Sequence, residues 1–215
     1  MKFKIDDIAR AEGWGKPSSG IWFIGMEPGG DWIESWKPTG EQFYPYDGTK
    51  KIRTPTWKIA AKIVAGLKGE EWASTWVAHW KKLGDEVYWN NALPLPRPKY
   101  GQIEGPYAAF LKDHGIYEAD KYWQAIKEQR GDFFRGLLNK NESTKVVCFG
   151  ESLHGYQAEL LGVELPGTAA DNLKVVERKG LTIVFAPFLT NRYVNSKADS
   201  RTRKTGIDEI IKALQ

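Results

Sequence analysis

The sequence predicts an α/β fold, a three-layer α/β/α sandwich around a central, mainly parallel four-stranded sheet. Short runs of branched and aromatic residues alternate with longer segments of helical periodicity along the chain. This alternation is typical of a mainly parallel sheet whose two faces are both covered by helices. The 215 residues contain no internal repeat and no low-complexity linker. We therefore expect a single domain over residues 1–215, which could bury roughly 70% of its unfolded surface.

Each predicted element follows from local patterning. Strands are predicted where short apolar runs end at Gly, Pro or Asn, and helices where apolar residues recur at three- and four-residue spacing. The predicted strands are Ile21–Gly25, Val87–Trp89, Val146–Gly150 and Leu181–Phe185. The predicted helices are Pro55–Leu67, Trp72–Leu83, Tyr107–Lys112, Glu118–Leu138, Ser152–Leu161 and Thr205–Leu214. Thr54-Pro55 is a helix start signal, and Ser152 is a plausible N-cap after the third strand.

Composition narrows the class of protein. No run approaches the ~20 apolar residues that a membrane-spanning helix needs. Cys148 is the single cysteine, which rules out an internal disulfide and favours a reducing, cytoplasmic location. It lies in an apolar run, so we interpret it as a small core residue. The net charge of +4 is mild and permits a polyanionic partner without requiring one.

The turn after the first strand carries the most chemical information. Gly25-Met26-Glu27-Pro28-Gly29-Gly30 places one carboxylate directly after a buried strand. In open α/β sheets, ligands bind at the carboxyl ends of the strands. Asn90 and Asn91 follow the second strand, so the same edge should receive an acid and an amide pair. The alternative interpretation is a tight turn with a solvated Glu.

Aromatic and basic residues are unevenly distributed. The chain has ten Trp, of which Trp72, Trp76 and Trp80 recur at helical spacing and are expected in a core. A second aromatic group follows the Glu27 turn and could stack on bases or sugars, or could anchor the loop. Its members are Trp32, Trp36, Phe43, Tyr44 and Tyr46. The segment from Arg192 to Lys204 suits phosphate contacts, although a solvated surface segment explains it equally.

Four of these segments resemble, in order, the uracil-DNA glycosylase superfamily. Gly25-Met26-Glu27-Pro28-Gly29 is similar to its first motif, and Asn91-Ala92-Leu93-Pro94-Leu95 is similar to its Asn-X-X-Pro-Leu segment. Both are closest to the single-strand-selective and mismatch-specific branches. Val146–Gly150 resembles the penultimate strand, and Leu181–Pro187 occupies the place of the strand before its His-Pro-Ser motif. The resemblance spans roughly residues 20 to 195.

Two positions depart from that family. Glu27 stands where the family has Asp or Asn, and Ala186-Pro187-Phe188 stands in place of His-Pro-Ser. The three histidines, His79, His114 and His154, all lie outside that motif. Structural or surface roles are expected for the first two, whereas His154 lies nearer the predicted site.

The resemblance implies a DNA glycosylase that flips a pyrimidine-type base and hydrolyses its N-glycosidic bond. It implies catalytic roles for Glu27, under the sugar, and for Asn91, on the base. The expected base-binding residues are Met26, Phe43, Tyr44, Asn90 and Phe188. The expected DNA-binding residues are Leu189, Asn191, Arg192, Lys197, Arg201, Arg203 and Lys204, with Phe188 or Leu189 as a wedge in the gap left by the flipped nucleotide. No metal or other cofactor is expected.

Because the His of the family's His-Pro-Ser motif is absent, the resemblance does not identify the base that is excised. A bulky modified base, such as glucosylated hydroxymethylcytosine in phage DNA, would account for both the aromatic excess and the altered loop, and its excision would serve antiviral defence. The alternatives are a uracil-DNA glycosylase of base-excision repair, a non-catalytic DNA-binding module on the same fold, and a hydrolase of free nucleosides or nucleotides. The expected partner is double- or single-stranded DNA, with no membrane and no obligate protein partner.

Overall fold

The computed structural model describes residues 3–28, 33–39, 55–70, 84–97, 104–141, 143–167, 173–189 and 206–215. Within these ranges, six strands form one sheet in the order β1-β3-β2-β4-β6-β5. The strands are β1 (Trp14–Gly15), β2 (Ile21–Gly25), β3 (Tyr88–Asn91), β4 (Thr144–Phe149), β5 (Lys174–Arg178) and β6 (Leu181–Ala186). The predicted α/β class is therefore confirmed.

The inner four strands of the sheet, β3, β2, β4 and β6, are mutually parallel. The registers pair Gly25 with Asn91 and Phe149 with Ala186, so these strands end along one common edge. The prediction of four strands is wrong in number, because β1 and β5 add antiparallel edges to β3 and β6. Strand β1 has only two residues, and β5 is polar and half exposed, so neither has the apolar run of an inner strand.

The helices agree with the predicted segments to within two residues at each end. They are α1 (Ile5–Ala9), α2 (Pro55–Leu67), α3 (Gly105–Lys112), α4 (Ala119–Leu138), α5 (His154–Leu161) and α6 (Gly206–Leu214). Helix α1 was not predicted, and the predicted helix Trp72–Leu83 lies outside the described residues. Ser152 does not cap α5, since it lies within the 3-10 turn Glu151–Leu153 and its hydroxyl faces the sulfur of Met26 at 3.4 Å.

Helices cover both faces of the sheet, and each face has its own core. In β2, Trp22 and Ile24 contribute to the core shared with α1, α3, α4 and α5, whereas Phe23 contributes to the core shared with α2 and α6. This two-sided burial explains why the strand is an unbroken apolar run. Cys148 is fully buried, as predicted, and burial raises the pKa of its thiol.

Several tryptophans of the described ranges belong to these cores. The rings of Trp57 and Trp89 stack with centroids 3.8 Å apart, and Trp22 and Trp123 are almost fully buried. Trp36 is only 2% exposed and donates its indole N–H to the Pro94 carbonyl at 3.1 Å. For Trp36, loop anchoring is therefore the observed role. None of the described helices is long and apolar enough to cross a membrane.

Candidate active site

The loops that follow β2 and β3 are joined side by side at the carboxyl edge of the sheet. Backbone N–H groups of Ala92 and Leu93 donate to the carbonyls of Gly25 and Met26 at 2.9 and 2.8 Å. Further along, the Arg97 N–H donates to the Pro28 carbonyl at 2.9 Å. These bonds extend the parallel pairing past the strand ends. They bring the Glu27 turn and the Asn91 segment together, as the sequence predicted.

The carboxylate of Glu27 forms a bidentate ion pair with Arg97. The guanidinium Nε donates to Oε1 at 2.7 Å, and Nη2 donates to Oε2 at 2.6 Å. The Glu27 and Arg97 side chains are only 5% and 3% exposed. Burial raises the pKa of Glu27 above its ordinary value, although the hydrogen bond and charge of Arg97 act in the opposite direction. The alternative of a solvated Glu is therefore wrong.

Aromatic side chains hold the loop that carries Arg97. Tyr122 accepts a hydrogen bond from the Leu95 N–H at 3.2 Å. Tyr107 of α3 places its ring 5.5 Å from the guanidinium carbon of Arg97. Its hydroxyl is buried and has no hydrogen-bond partner among the described residues. Helices α3 and α4 therefore both contribute an aromatic side chain that supports the Arg97 segment.

The side chain of Asn90 forms hydrogen bonds inside the protein. Its amide nitrogen donates to the Tyr88 hydroxyl at 2.8 Å, and its amide oxygen accepts from the Asn91 N–H and from Arg130. Arg130 of α4 is fully buried and also donates to the Asn91 carbonyl at 2.6 Å. Burial lowers the pKa of Arg130 to about 10. The expected base-binding role of Asn90 is corrected to a structural one, because its amide is fully engaged inside the fold.

Asn91 differs from its neighbour because no hydrogen bond links its side-chain amide to another described residue. The amide lies against Gly25, where a Cβ atom would overlap Asn91 Oδ1 and would lie 2.9 Å from the Phe149 ring. The absence of a side chain at Gly25 therefore creates the space that Asn91 occupies. Asn91 is 6% exposed, and its amide carries both donors and an acceptor that no described residue uses.

Replacing Gly25 by Ala is expected to displace the Asn91 amide, because the added methyl group overlaps Oδ1. We expect the free energy of unfolding to fall by about 1–3 kcal/mol. We expect the activity of the site to fall by at least about tenfold. Urea denaturation and activity assays measure the two effects. Gly136→Ala is the matched control, since open space surrounds that helical position. Equal behaviour of the two variants would contradict the prediction.

Two of the other expected ligand-binding residues lie near this edge. Met26 packs on Gly150, where a Cβ atom would overlap Met26 Cγ and Sδ. Phe188 is 39% exposed, and its ring centroid is 5.8 Å from that of Phe149. Leu189, by contrast, is fully buried in the core with α2 and α6. The expected DNA contact of Leu189 is therefore corrected to a core role. Of the two wedge candidates, Phe188 is the one with an exposed apolar side chain.

Two buried side chains fix the strand ends around the site. His154 bonds through Nε2 to the Ala186 carbonyl at 2.8 Å, and burial lowers its pKa, which favours the neutral ring as the donor. Gln157 donates to the carbonyls of Ile24 and Phe149 at 2.9 and 3.1 Å. His114 bonds to the carbonyls of Phe110 and Phe3, in agreement with a structural role.

Several expected site residues lie outside the described ranges. They are Phe43, Tyr44, Asn191, Arg192, Lys197, Arg201, Arg203 and Lys204. Within the described part of the chain, no group of three or more His, Cys, Asp and Glu residues could hold a metal ion.

Sequence reasoning did not single out Arg97 or Arg130. A signal existed for Arg130, because it shares the four-residue spacing of the buried Ile126 and Phe134 and is therefore a charge on an apolar helix face. No periodic pattern links Arg97 to Glu27, which lies 70 residues earlier.

Comparisons with known proteins add no family to this description. A scan against protein-family models gives no match, and a search of curated proteins gives none at a significant level. The class of reaction is therefore inferred from the chemistry of the site and from the motif resemblance.

Proposed function

We propose that the protein is a DNA N-glycosylase that flips a pyrimidine-type base, hydrolyses its N-glycosidic bond and leaves an abasic site. The observations that carry this proposal are the buried Glu27 carboxylate and the Asn91 amide, which no described residue hydrogen-bonds, in the segments at the ends of adjacent parallel strands. The motif resemblance to the uracil-DNA glycosylase superfamily supports it. We also propose that β3, β2, β4 and β6 correspond to the four-stranded sheet of that superfamily.

The reaction requires an anion or a positioned water near the sugar, because positive charge develops there as the base departs. A carboxylate ~4 Å from that charge would stabilise it by about 4 kcal/mol at an effective dielectric of about 20. A guanidinium charge at about twice that distance, behind the carboxylate, would offset about 2 kcal/mol of this. Arg97 therefore halves the direct electrostatic benefit of Glu27. This balance favours Glu27 as the group that orients and deprotonates water.

Asn91 supplies the second requirement, which is recognition of the base. A side-chain amide offers one acceptor and two donor hydrogens, so it can match uracil or, when rotated, the amino edge of cytosine. Buried placement next to Gly25 strengthens such hydrogen bonds, because water does not compete for them. Asn91 thus recognises a pyrimidine without specifying which one.

The loop after β6 bears on the identity of the base. Ala186-Pro187-Phe188 lacks the His that would donate to the departing base in the resembled family, and the exposed Phe188 offers an apolar surface instead. Asn191 or Arg192 is our candidate for the replacement donor. We propose a bulky modified pyrimidine as substrate, with glucosylated hydroxymethylcytosine of phage DNA as the example and antiviral defence as the role. Uracil excision in repair is the alternative.

Mass spectrometry of released bases tests this proposal. The purified protein is incubated with uracil-containing DNA, unmodified DNA and phage DNA carrying glucosylated hydroxymethylcytosine. Release of a free base with formation of abasic sites is expected, and most of it from the glucosylated DNA. Equal release from glucosylated and unmodified DNA would refute the bulky-base proposal. Normal DNA binding without any release would favour a non-catalytic binding module.

A further inference from the structure

We propose that Arg97 is a positioning residue for the hydrolytic step, which fixes both the orientation and the charge of the Glu27 carboxylate. This inference rests on the proposed role of Glu27 in orienting water. Arg97 does not contact the reacting atoms in this proposal, since it acts through the carboxylate alone.

The geometry of the pair suits this role. Both oxygens of Glu27 are bound, one by Nε at 2.7 Å and the other by Nη2 at 2.6 Å. Two parallel charge-assisted bonds hold a carboxylate in one plane, which a single bond from Lys would not do. An ionised carboxylate has about four lone-pair positions. The two hydrogen bonds from the Arg97 guanidinium, which we call the fork, therefore leave about two of these positions for water. The fork therefore selects which lone pairs face the substrate.

Arg97 is itself held in place by surrounding groups. Its backbone N–H donates to the Pro28 carbonyl at 2.9 Å, so its main chain is bound to the same turn that carries Glu27. The Tyr107 ring lies 5.5 Å from the guanidinium carbon. The pair is almost completely shielded from solvent, which distinguishes it from a surface ion pair of little energetic consequence. Such a fixed and buried fork can determine the position of its partner.

The charges around Glu27 make this role measurable. Burial opposes its ionisation, and Arg97 supplies the hydrogen bond and the positive charge that favour ionisation. The hydroxyls of Tyr107 and Tyr122 also act electrostatically with Glu27, and burial raises the pKa of both. They stay neutral in the range of the test. Loss of Arg97 therefore raises the pKa of Glu27 further.

The experiment compares the pH dependence of kcat/KM for wild type, Arg97→Met and Arg97→Lys on the DNA that wild type cleaves. Wild-type activity is expected to fall as pH decreases through the raised pKa of Glu27, since the active form is ionised. In Arg97→Met, this fall in activity, the acid limb of the profile, is expected to begin at a higher pH than in wild type, because Glu27 loses the charge and hydrogen bonds that favour its ionised form. Activity near about pH 6 is expected to drop by about 10²-fold and to recover partly near about pH 9.

Arg97→Lys separates the two functions of Arg97, because Lys keeps the charge and loses the fork. We expect its acid limb to lie near that of wild type and its kcat to fall by about tenfold. Thermal unfolding of each variant establishes that it is folded, and if Arg97→Met does not fold, a wild-type kcat in Arg97→Lys would overturn the positioning role of Arg97. A uniform loss of activity with an unmoved acid limb in Arg97→Met would overturn the inference, while the proposed function would stand.

Absence of base release by wild type would instead refute the proposed function. Control of Glu27 by Arg97 is then decided by carbon-13 NMR titration of the Glu27 carboxyl group in wild type and in Arg97→Met. A higher titration midpoint in the variant is expected. An unchanged midpoint would overturn the inference without reference to activity.

Discussion

Replacing Glu27 by Gln is expected to lower the rate of base release by about 10²–10⁴-fold. Gln has nearly the same shape as Glu, but it carries no charge and cannot accept a proton from water. Its amide hydrogens would also face the N–H groups of Arg97, which now donate to both carboxylate oxygens. Single-turnover release of base from the DNA that wild type cleaves measures the effect on chemistry.

The buried ion pair calls for a control that separates chemistry from stability. Glu27→Gln leaves the Arg97 charge buried without its carboxylate, which costs about 3–5 kcal/mol when such a pair is broken. The double variant E27Q/R97M removes that charge, so it is expected to regain stability and to remain inactive. Glu27→Asp keeps the charge on a shorter side chain and should retain part of the activity. A double variant as active as wild type would remove Glu27 from the mechanism.

The inner part of the fold was predictable because burial on two faces leaves a clear mark in the sequence. Ile21–Gly25 was predicted to the residue, since an apolar run ends there at a Gly-rich turn. The edge strand Lys174–Arg178 was not predicted, because its side chains are largely exposed and alternate without a buried run. Edge strands depend on pairing with a neighbour, and that pairing is a tertiary property.

The candidate site was predictable only where it follows a strand end directly. Glu27 and Asn91 were located because parallel strands end at one edge of a sheet. Asn90 was assigned to the same site, and the structure shows its side chain bound to Arg130 instead, on the interior side of the strand. Successive residues of a strand point to opposite faces, so the two amides could not share a function. The sequence already favoured Asn91 for the catalytic role, whereas the contact of Asn90 with Arg130 of α4 became known only from the structure.

The role of Arg97 could not be predicted from the sequence. Its partner lies on a different loop, and no local pattern in the Pro-rich segment after β3 indicates an ion pair. Only the pairing of β2 with β3 brings the two loops together. The acid was predictable from the sequence, whereas the group that controls its charge was not.

Replacing Arg130 by Met is expected to lower the free energy of unfolding by about 3–5 kcal/mol, because the buried carbonyls of Ala9 and Asn91 lose a hydrogen-bond donor. The guanidinium donates to the carbonyls of Ala9, Ala11 and Asn91 and to Asn90 Oδ1, all of them inside the fold. Met fills similar volume but donates nothing. Each buried acceptor left without a donor costs about 1–3 kcal/mol. Urea denaturation measures the loss through the midpoint and slope.

Arg135→Met is the matched control, because Arg135 lies on the same helix in an exposed ion pair with Asp132. A surface pair of this kind is worth about 1 kcal/mol or less. Equal stability of the Arg130→Met and Arg135→Met variants would contradict the buried network.

Arg130→Met also distinguishes support of the site from control of its charge. Arg130 holds the Asn91 carbonyl at 2.6 Å, so its loss is expected to displace the Asn91 amide, which we propose binds the base, and to lower base release. It is not among the groups that set the pKa of Glu27. The acid limb of the pH profile should therefore stay where it is in wild type, whereas Arg97→Met moves it. A shift of that limb in Arg130→Met would show that the two arginines act on Glu27 as one unit.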